Sequence, residues 1–272
     1  MNVFVIAVGE IKLGFRNPWS YSFLALFTLF SLSLWLIQGQ QPLGGYTHAT
    51  GTMLNLIVYL LPLMTLLLGS FSVTGEKEDG RWQLLATYPL SATQWLWGKW
   101  IGVSVTLACI VAFGFGLSGM VGWFMDSDFT AESLLWLFSF AEVLMLTFLG
   151  LALAVGALCK NRWQALTISV GIWFLFVLGW PTLMIGVLGW VPYGWIKPML
   201  EMLTLLNPAE SVRIFTIMKI GGGAVFGPEY YQWLQWARGS GSAAAFALYV
   251  LAWVAIPVIL AGRYLERRKT SA

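Results

Sequence analysis

Residues 75–99 read GEKEDGRWQLLATYPLSATQWLWGK and make the longest polar interruption between two apolar segments in the first half of the chain. Three acids, Glu76, Glu78 and Asp79, lie together at the start of this stretch. Carboxylates are stabilised near the positive N-terminal end of a helix. The pattern therefore predicts that a short helix follows them.

The predicted short helix runs from about Gly80 to Tyr88. Leu84, Leu85 and Tyr88 fall at helical spacing and give it one narrow apolar face. Pro89 ends it, because proline biases the preceding residue away from α geometry. The alternative is an ordinary polar loop with a solvated charge run. We interpret the stretch as a helix on the membrane surface that serves as a docking surface.

A second helix is predicted to begin directly after Pro89. Ser91 and Gln94 form a capping-box pattern, and Leu90 and Trp95 occupy the flanking positions of a hydrophobic staple. The residues that follow are aromatic and cationic and suit the level of the lipid headgroups: Trp95, Trp97, Lys99 and Trp100. The pattern predicts the entry of a membrane-spanning helix.

The composition excludes an ordinary soluble domain. Of the 272 residues, 58% are hydrophobic and 10% are charged, with a mean hydropathy of +0.76. A soluble domain carries about a quarter charged residues. We therefore predict an all-α polytopic membrane protein. The net charge of +3 is too small to indicate binding to nucleic acid.

Six transmembrane helices account for the apolar segments if each needs about 20 residues. They are residues 18–37, 52–74, 100–124, 133–158, 164–189 and 243–262. Both termini then lie on one side of the membrane, together with 11 of the 15 basic residues. Cytoplasmic loops carry the excess of Lys and Arg. The termini and residues 75–99 are therefore predicted to be cytoplasmic, within one permease domain that covers 1–272.

Two segments outside the spans are predicted to be ordered. Residues 1–17 place charges among apolar side chains, which is typical of an interfacial helix. Residues 190–242 form a long external loop rich in Trp and Tyr, with surface helices before the last span. Pro181 predicts that the fifth span stops or kinks there and leaves residues 182–190 as a re-entrant segment.

The clearest helix start in the external loop is Asn207-Pro208-Ala209-Glu210. Asn suits the cap, Pro the first helical position and Glu the first turn. The pattern predicts a helix that begins directly after Asn207.

Two polar residues lie within predicted spans, Asn55 in the second and Glu142 in the fourth. A carboxylate inside a spanning helix costs about 2.5–3.5 kcal/mol on insertion scales, so such residues usually face a cavity or a partner. Both residues are candidates for a translocation path. The alternative is a structural role, with each side chain hydrogen-bonded to a neighbour.

Two motifs resemble those of type-2 ABC-transporter permeases, and in particular the NosY-type permease subunit of the nitrous oxide reductase maturation transporter. The first is G-E-K-E-x-G, followed by an apolar pair and then Tyr-Pro-Leu-Ser. The second is L-N-P-A-acid-x-x-Arg before the last span, which ends here at Arg213. Arg81 stands where the family usually has Thr, and Ala92 where a basic residue is common.

By this resemblance the first motif is a coupling helix that docks into a groove of a separate ATPase, residues 1–17 are an elbow helix, and the second motif contacts an outer partner. The implied coupling residues are Glu76, Glu78, Gly80, Leu84, Leu85, Tyr88 and Pro89. The implied outer-partner residues are Asn207, Pro208, Glu210 and Arg213. The alternative for this second set is that it only caps and orients an external helix.

The resemblance further implies a homodimer in the cytoplasmic membrane of a bacterium or archaeon. Two copies of a cytoplasmic ATPase would hold ATP and Mg, and a β-helical accessory protein would sit on the outer face. Such a system supports assembly of the copper centres of nitrous oxide reductase. An exporter of a peptide, lipid or small amphiphile is the alternative, because no Met or Cys cluster marks a copper path.

An enzymatic role is the least favoured alternative. The sequence has no G-x-x-x-x-G-K-S/T for a P-loop, no H-E-x-x-H, and a single histidine, His48. Cys109 and Cys159 show neither metal-ligand nor disulfide spacing. We expect no catalytic residue, cofactor or metal site in this chain.

Overall fold

The computed structural model describes residues 3–38, 48–82, 91–124, 131–226 and 230–270. The helices, in chain order, are α1 Val3–Gly14, α2 Pro18–Gln38, α3 His48–Glu78, α4 Ala92–Phe124, α5 Ala131–Leu158, α6 Arg162–Trp173, a π-helix Phe174–Gly179, α7 Trp180–Trp190, α8 Tyr193–Leu206, α9 Pro208–Lys219, a 3₁₀ turn Gly222–Phe226, α10 Tyr231–Arg238 and α11 Ser242–Thr270. No strand occurs within the described ranges. The predicted all-α class is confirmed.

Five helical stretches of the described residues are long and apolar enough to cross a membrane. They are Thr50–Glu78, Ala92–Val121, Leu134–Leu158, Arg162–Trp190 and Ser242–Lys269. The protein is therefore a multi-pass membrane protein. Helix α2, which has 21 residues, occupies the predicted first span. The count of six spans stays a prediction.

Small residues allow the central helices to approach closely. A Cβ added at Gly156 of α5 would lie 2.7 Å from Ser70 O of α3. A Cβ at Gly150 would lie 3.0 Å from Val254 Cα of α11. Glycine and alanine at helix contacts let backbones meet at van der Waals distance, which is how membrane helices associate without a hydrophobic driving force. The core of the bundle accordingly lies where α5 packs between α3 and α11.

Both termini lie at the same end of the bundle. Helix α1 packs on the start of α4, where a Cβ added at Gly102 would lie 2.7 Å from Ala7 O. At the other terminus, Glu266 of α11 accepts a hydrogen bond from Ala92 N at 2.6 Å. We call this end, which also carries the end of α3 and the α5–α6 turn, the charged end. A helix within residues 1–17 is confirmed, and its position at the membrane interface stays a prediction.

The predicted stop of the fifth span at Pro181 was wrong, whereas a kink there and the re-entry of residues 182–190 stay predictions. The helix is continuous over Arg162–Trp190 because a π-helix absorbs the proline. A π-helix pairs residues five apart, so the N–H that Pro181 lacks is the one that would reach Phe176 O. Asn207 Nδ2 donates to that oxygen instead, at 2.7 Å.

The segment that turns back into the bundle is the hairpin of α8 and α9. Helix α8 begins directly after the end of the fifth span, yet its last turn reaches α11, where Tyr249 Oη donates to Leu205 O at 3.0 Å. Asn207, at the tip, reaches Phe176 near the middle of the fifth span. The polar tip can lie at this depth because the Asn207 side chain accepts from Ala209 N and Glu210 N and donates to a backbone oxygen of the neighbouring helix.

Candidate functional site

The predicted docking segment begins as part of a spanning helix. Helix α3 continues through Glu78, so Glu76 and Glu78 lie in its last turn. The prediction that these acids precede the start of a new helix was therefore wrong for their position in α3. Gly80 follows with a φ of 70°, a left-handed conformation that favours glycine. The coupling residues Leu84, Leu85, Tyr88 and Pro89 lie outside the described residues.

The second helix begins as predicted. Helix α4 starts at Ala92, and Gln94 N donates to Ser91 Oγ at 3.2 Å, which is the capping bond of a capping box. Leu90 of the predicted staple lies outside the described residues. The start of α4 therefore follows from local sequence.

Lys99, which the sequence placed at the headgroup level, is fully buried inside the charged end, with 0% of its side chain exposed. Its Nζ lies 2.8 Å from Glu10 Oε2 of α1 and 2.8 Å from Glu76 Oε1 of α3. It also donates to Ser72 O at 3.0 Å and to Ser72 Oγ at 3.1 Å. A buried charge is tolerated only when it is paired and hydrogen-bonded, and these groups meet that condition.

We call Glu10, Ser72, Glu76 and Lys99 the Lys99 cluster. Ser72 Oγ donates to Glu10 Oε1, so Glu10 is bonded through both of its oxygens. The Trp95 ring lies 5.1 Å from Lys99 Nζ and adds a cation–π contact. The cluster joins three helices: the N-terminal α1, the end of α3 and the start of α4. The last two are the flanks of the 75–99 segment.

The other two charges of the G-E-K-E motif hold the α5–α6 turn. Lys77 Nζ donates to Gly156 O, Ala157 O and Cys159 O at 2.8, 2.6 and 2.9 Å. These bonds satisfy carbonyls that a helix leaves unpaired at its C-terminus. The thiol of Cys159 is itself buried, and burial raises its pKa above the usual range.

Glu78 holds the first residue of α6. Its Oε1 accepts from Arg162 N at 2.8 Å, and its Oε2 lies 3.1 Å from Arg162 Nε. The Arg162 guanidinium crosses Gly75, where an added Cβ would lie 2.8 Å from Nη2. Each charge of residues 76–78 therefore has a partner within the chain.

The predicted outer-partner residues lie at the other end of α3. Asn207 caps α9 as predicted, since its Oδ1 accepts from Ala209 N at 2.9 Å. Arg213 Nη2 lies 2.6 Å from Glu210 Oε1, and its Nη1 donates to Asn55 Oδ1 at 3.2 Å. Asn55, one of the two candidate path residues, therefore contacts Arg213 of the predicted outer-partner set. Asn207 is 1% exposed, whereas the Glu210 and Arg213 side chains are 17% and 28% exposed.

Comparison with known proteins settles the family. The family model described as "ABC-2 family transporter protein" matches residues 6–270. The chain belongs to this family. It is also similar to two proteins named "Probable ABC transporter permease protein NosY". The relative from Stutzerimonas stutzeri is 29% identical over 98% of this chain and 99% of its own length. The one from Pseudomonas aeruginosa is 31% identical over 83% of this chain and 85% of its own length.

In this NosY-like permease, Glu142 belongs neither to the Lys99 cluster nor to the predicted outer-partner residues. It is partly buried in α5, and its Oε1 is a buried atom without a hydrogen-bond partner among the described residues. Thr147, near it on the helix, instead donates to Leu144 O. Within the part of the chain that the structure describes, no three His, Cys, Asp or Glu residues are grouped to hold a metal ion.

Sequence reasoning missed several residues of the charged end. These residues are Glu10, Ser72, Lys77 and Arg162, none of which belongs to a local motif that marks it as a contact between helices. The sequence pattern that could have indicated this packing is a pair of glycines. Gly98 and Gly102 sit at four-residue spacing on α4, and α1 packs against both. A helix that packs this closely brings its own charge, Glu10, within reach of Lys99.

Proposed function

We propose that this permease works as a homodimer with two copies of a separate cytoplasmic ATPase, and that the assembly serves copper-centre maturation of nitrous oxide reductase. The ATPases hold ATP and Mg, and residues 75–99 receive their motion. The NosY name of the two relatives supports this role. So does the pair of motifs that resemble the maturation permease.

The Lys99 cluster is the observation that carries the coupling role. Because Glu76 and Lys99 are ion-paired, the two flanks of the docking segment are joined beneath it. A displacement of the segment therefore moves the end of α3 and the start of α4 together, and α1 with them through Glu10. Lys77 and Glu78 pass the same displacement to the α5–α6 turn. ATP-driven closure can thus reach most of the helices of the charged end.

If Glu210 and Arg213 contact the proposed outer partner, exchanging the two residues should weaken the binding of that partner. The double variant Glu210→Arg/Arg213→Glu keeps an ion pair between the two partly buried positions but reverses the charge at each. We expect the outer β-helical protein to be lost from a mild-detergent pull-down while the ATPase is retained. Rim charges chiefly set the rate and specificity of association. If the outer protein co-purifies undiminished, these residues serve only to cap and orient α9.

Substitutions at Glu142 are expected to affect transport or maturation and to leave assembly with the ATPase unchanged. Because a carboxylate with an unpaired buried oxygen is costly within a span, we propose that it faces the translocation path. Glu142→Gln and Glu142→Leu should both assemble with the ATPase and fail in enzyme maturation or transport. Glu132→Gln, at the exposed start of the same helix, is the matched control. Full activity of Glu142→Gln would leave only a structural role.

An exporter of a peptide, lipid or small amphiphile is the second candidate function. It is supported by an apolar cavity of about 250 Å³ between α2, α3 and α5, lined by residues that include Phe27, Met53 and Leu137. A tagged pull-down in mild detergent separates the two functions. Recovery of a β-helical protein with the ATPase supports maturation, and recovery of the ATPase alone supports export.

A further inference from the structure

A second cavity lies at the charged end, beside the Lys99 cluster, three of whose residues, Glu10, Ser72 and Glu76, help to line it. Its volume is about 450 Å³, within the range of roughly 300–1,000 Å³ that ligand sites occupy. The end of α1, the start of α2, the last turns of α3 and the first residue of α6 surround it. We call this cavity, lined by Arg16, Trp19, Phe71, Glu76, Asp79 and Arg162 among others, the elbow crevice.

The crevice has an apolar part and a charged part. Leu68 and Phe71 of α3 and Leu107 of α4 line it within the spanning segments. Charged side chains line it where those helices end. This is the profile of a phospholipid, whose headgroup is polar and whose acyl chains are apolar. A soluble, polar metabolite would not cover the apolar lining of the crevice, which would stay in contact with water.

The charges in the crevice have both signs and are only partly satisfied. Arg16 is exposed and has no acidic partner among the described residues. Arg162 pairs with Glu78 but leaves 50% of its side chain exposed. Guanidinium groups at this position suit a phosphate.

The wall that the end of α3 forms carries two acids of the crevice, Glu76 and Asp79, with Arg81 beside Asp79. Glu76 Oε2 is a buried acceptor without a hydrogen bond among the described residues, although Oε1 is bonded to Lys99. An unsatisfied buried acceptor costs about 1–3 kcal/mol, and a donor entering from the crevice would remove that cost. Asp79 is 49% exposed and lies only loosely, at 3.9 Å, from Arg81. An ammonium group suits this wall.

We propose that the elbow crevice binds phosphatidylethanolamine from the leaflet at the charged end. The phosphate lies against Arg16 and Arg162, and the ammonium donates to Glu76 and Asp79. The acyl chains leave along Leu68 and Phe71. The bound lipid then contacts α1, α2 and the end of α3 at the same time and holds them together beside the docking segment. Such binding requires no particular transported substrate.

The test is a lipid titration of the purified permease in detergent, read by native mass spectrometry. We expect phosphatidylethanolamine to bind more tightly than phosphatidylcholine or phosphatidylglycerol with the same acyl chains. Phosphatidylcholine has no N–H to donate to Glu76 and Asp79, and phosphatidylglycerol has no cation. Glycerophosphoethanolamine, which carries the same headgroup without acyl chains, should not bind at the same concentration.

Arg16→Gln should weaken phosphatidylethanolamine binding about tenfold, the effect of losing one charge-assisted hydrogen bond. Lys12→Gln is the matched control, because Lys12 is an exposed cation on α1, just before the turn that carries Arg16, and does not line the crevice. Equal affinity for the three lipids, or equal loss in both variants, would overturn the proposal. Binding of the chain-free headgroup as tightly as the lipid would overturn the assignment to a membrane lipid.

Discussion

Lys99→Met is expected to lower the free energy of unfolding of this permease by about 3–5 kcal/mol, because removing one partner of a buried ion pair leaves the other charge uncompensated. Here two carboxylates, Glu10 and Glu76, lose the same partner. Met keeps most of the side-chain length, so the loss reflects charge and not volume. Thermal and denaturant unfolding of the purified protein in detergent measure the effect.

Lys160→Met is the control for this change. Lys160 is an exposed residue of the same end of the bundle, so its replacement should leave the unfolding free energy within about 0.5 kcal/mol of the parent. A Lys99→Met variant as stable as the Lys160 control would show that the cluster contributes nothing to the fold.

A neutral cluster separates stability from coupling. Adding Glu10→Gln and Glu76→Gln to Lys99→Met removes every charge of the cluster, so that no buried carboxylate is left uncompensated. We expect the triple variant to regain stability. If the ion pairs also transmit motion from the docking segment, permease-stimulated ATP hydrolysis should stay low in that variant. Recovery of both properties would reduce the cluster to a structural role.

Leu84→Asp combined with Leu85→Asp is expected to abolish the stimulation of ATP hydrolysis by the permease. Both side chains lie on the predicted apolar face of the docking helix, and an unpaired charge in a buried interface costs several kcal/mol. The measurement is the ATPase rate of the purified complex with and without the variant permease, alongside co-purification of the ATPase.

Gln83→Asp combined with Ala86→Asp is the matched control for the docking helix. It adds the same two charges on the opposite face of the predicted helix, since residues one apart differ by about 100° around the axis. This control should retain most of the stimulation. Stimulation that survives in the Leu84/Leu85 variant would remove the docking assignment from residues 75–99.

Local patterns predicted the elements that depend on neighbouring residues. Hydropathy located the apolar segments, because a helix needs about 20 apolar residues to cross the lipid core whatever surrounds it. Ser91 and Asn207 were correctly predicted as caps, because a capping bond spans only two or three residues. The assignment to type-2 permeases rested on motifs of the same local kind.

Long-range contacts explain what these patterns missed. Pro181 reads locally as a break, yet the helix continues because Asn207 bonds the oxygen that the proline leaves free, that of Phe176, which is 31 residues from Asn207 along the chain. Glu76 and Glu78 read locally as the start of a helix, yet they end one because Lys99 and Arg162 neutralise them there.

An all-α, multi-pass membrane protein could be predicted from the sequence, because composition, apolar length and capping patterns act within a few turns of one helix. The resemblance to type-2 permeases was carried by two motifs that are equally local. The burial of Lys99 follows only from the folded chain, because a lysine shortly after Trp95, Leu96 and Trp97 looks the same at a headgroup interface and inside a bundle. Its two carboxylates come from 89 and 23 residues away along the chain. A charge enters the interior only where packing delivers its partners, and that delivery depends on how α1, α3 and α4 meet.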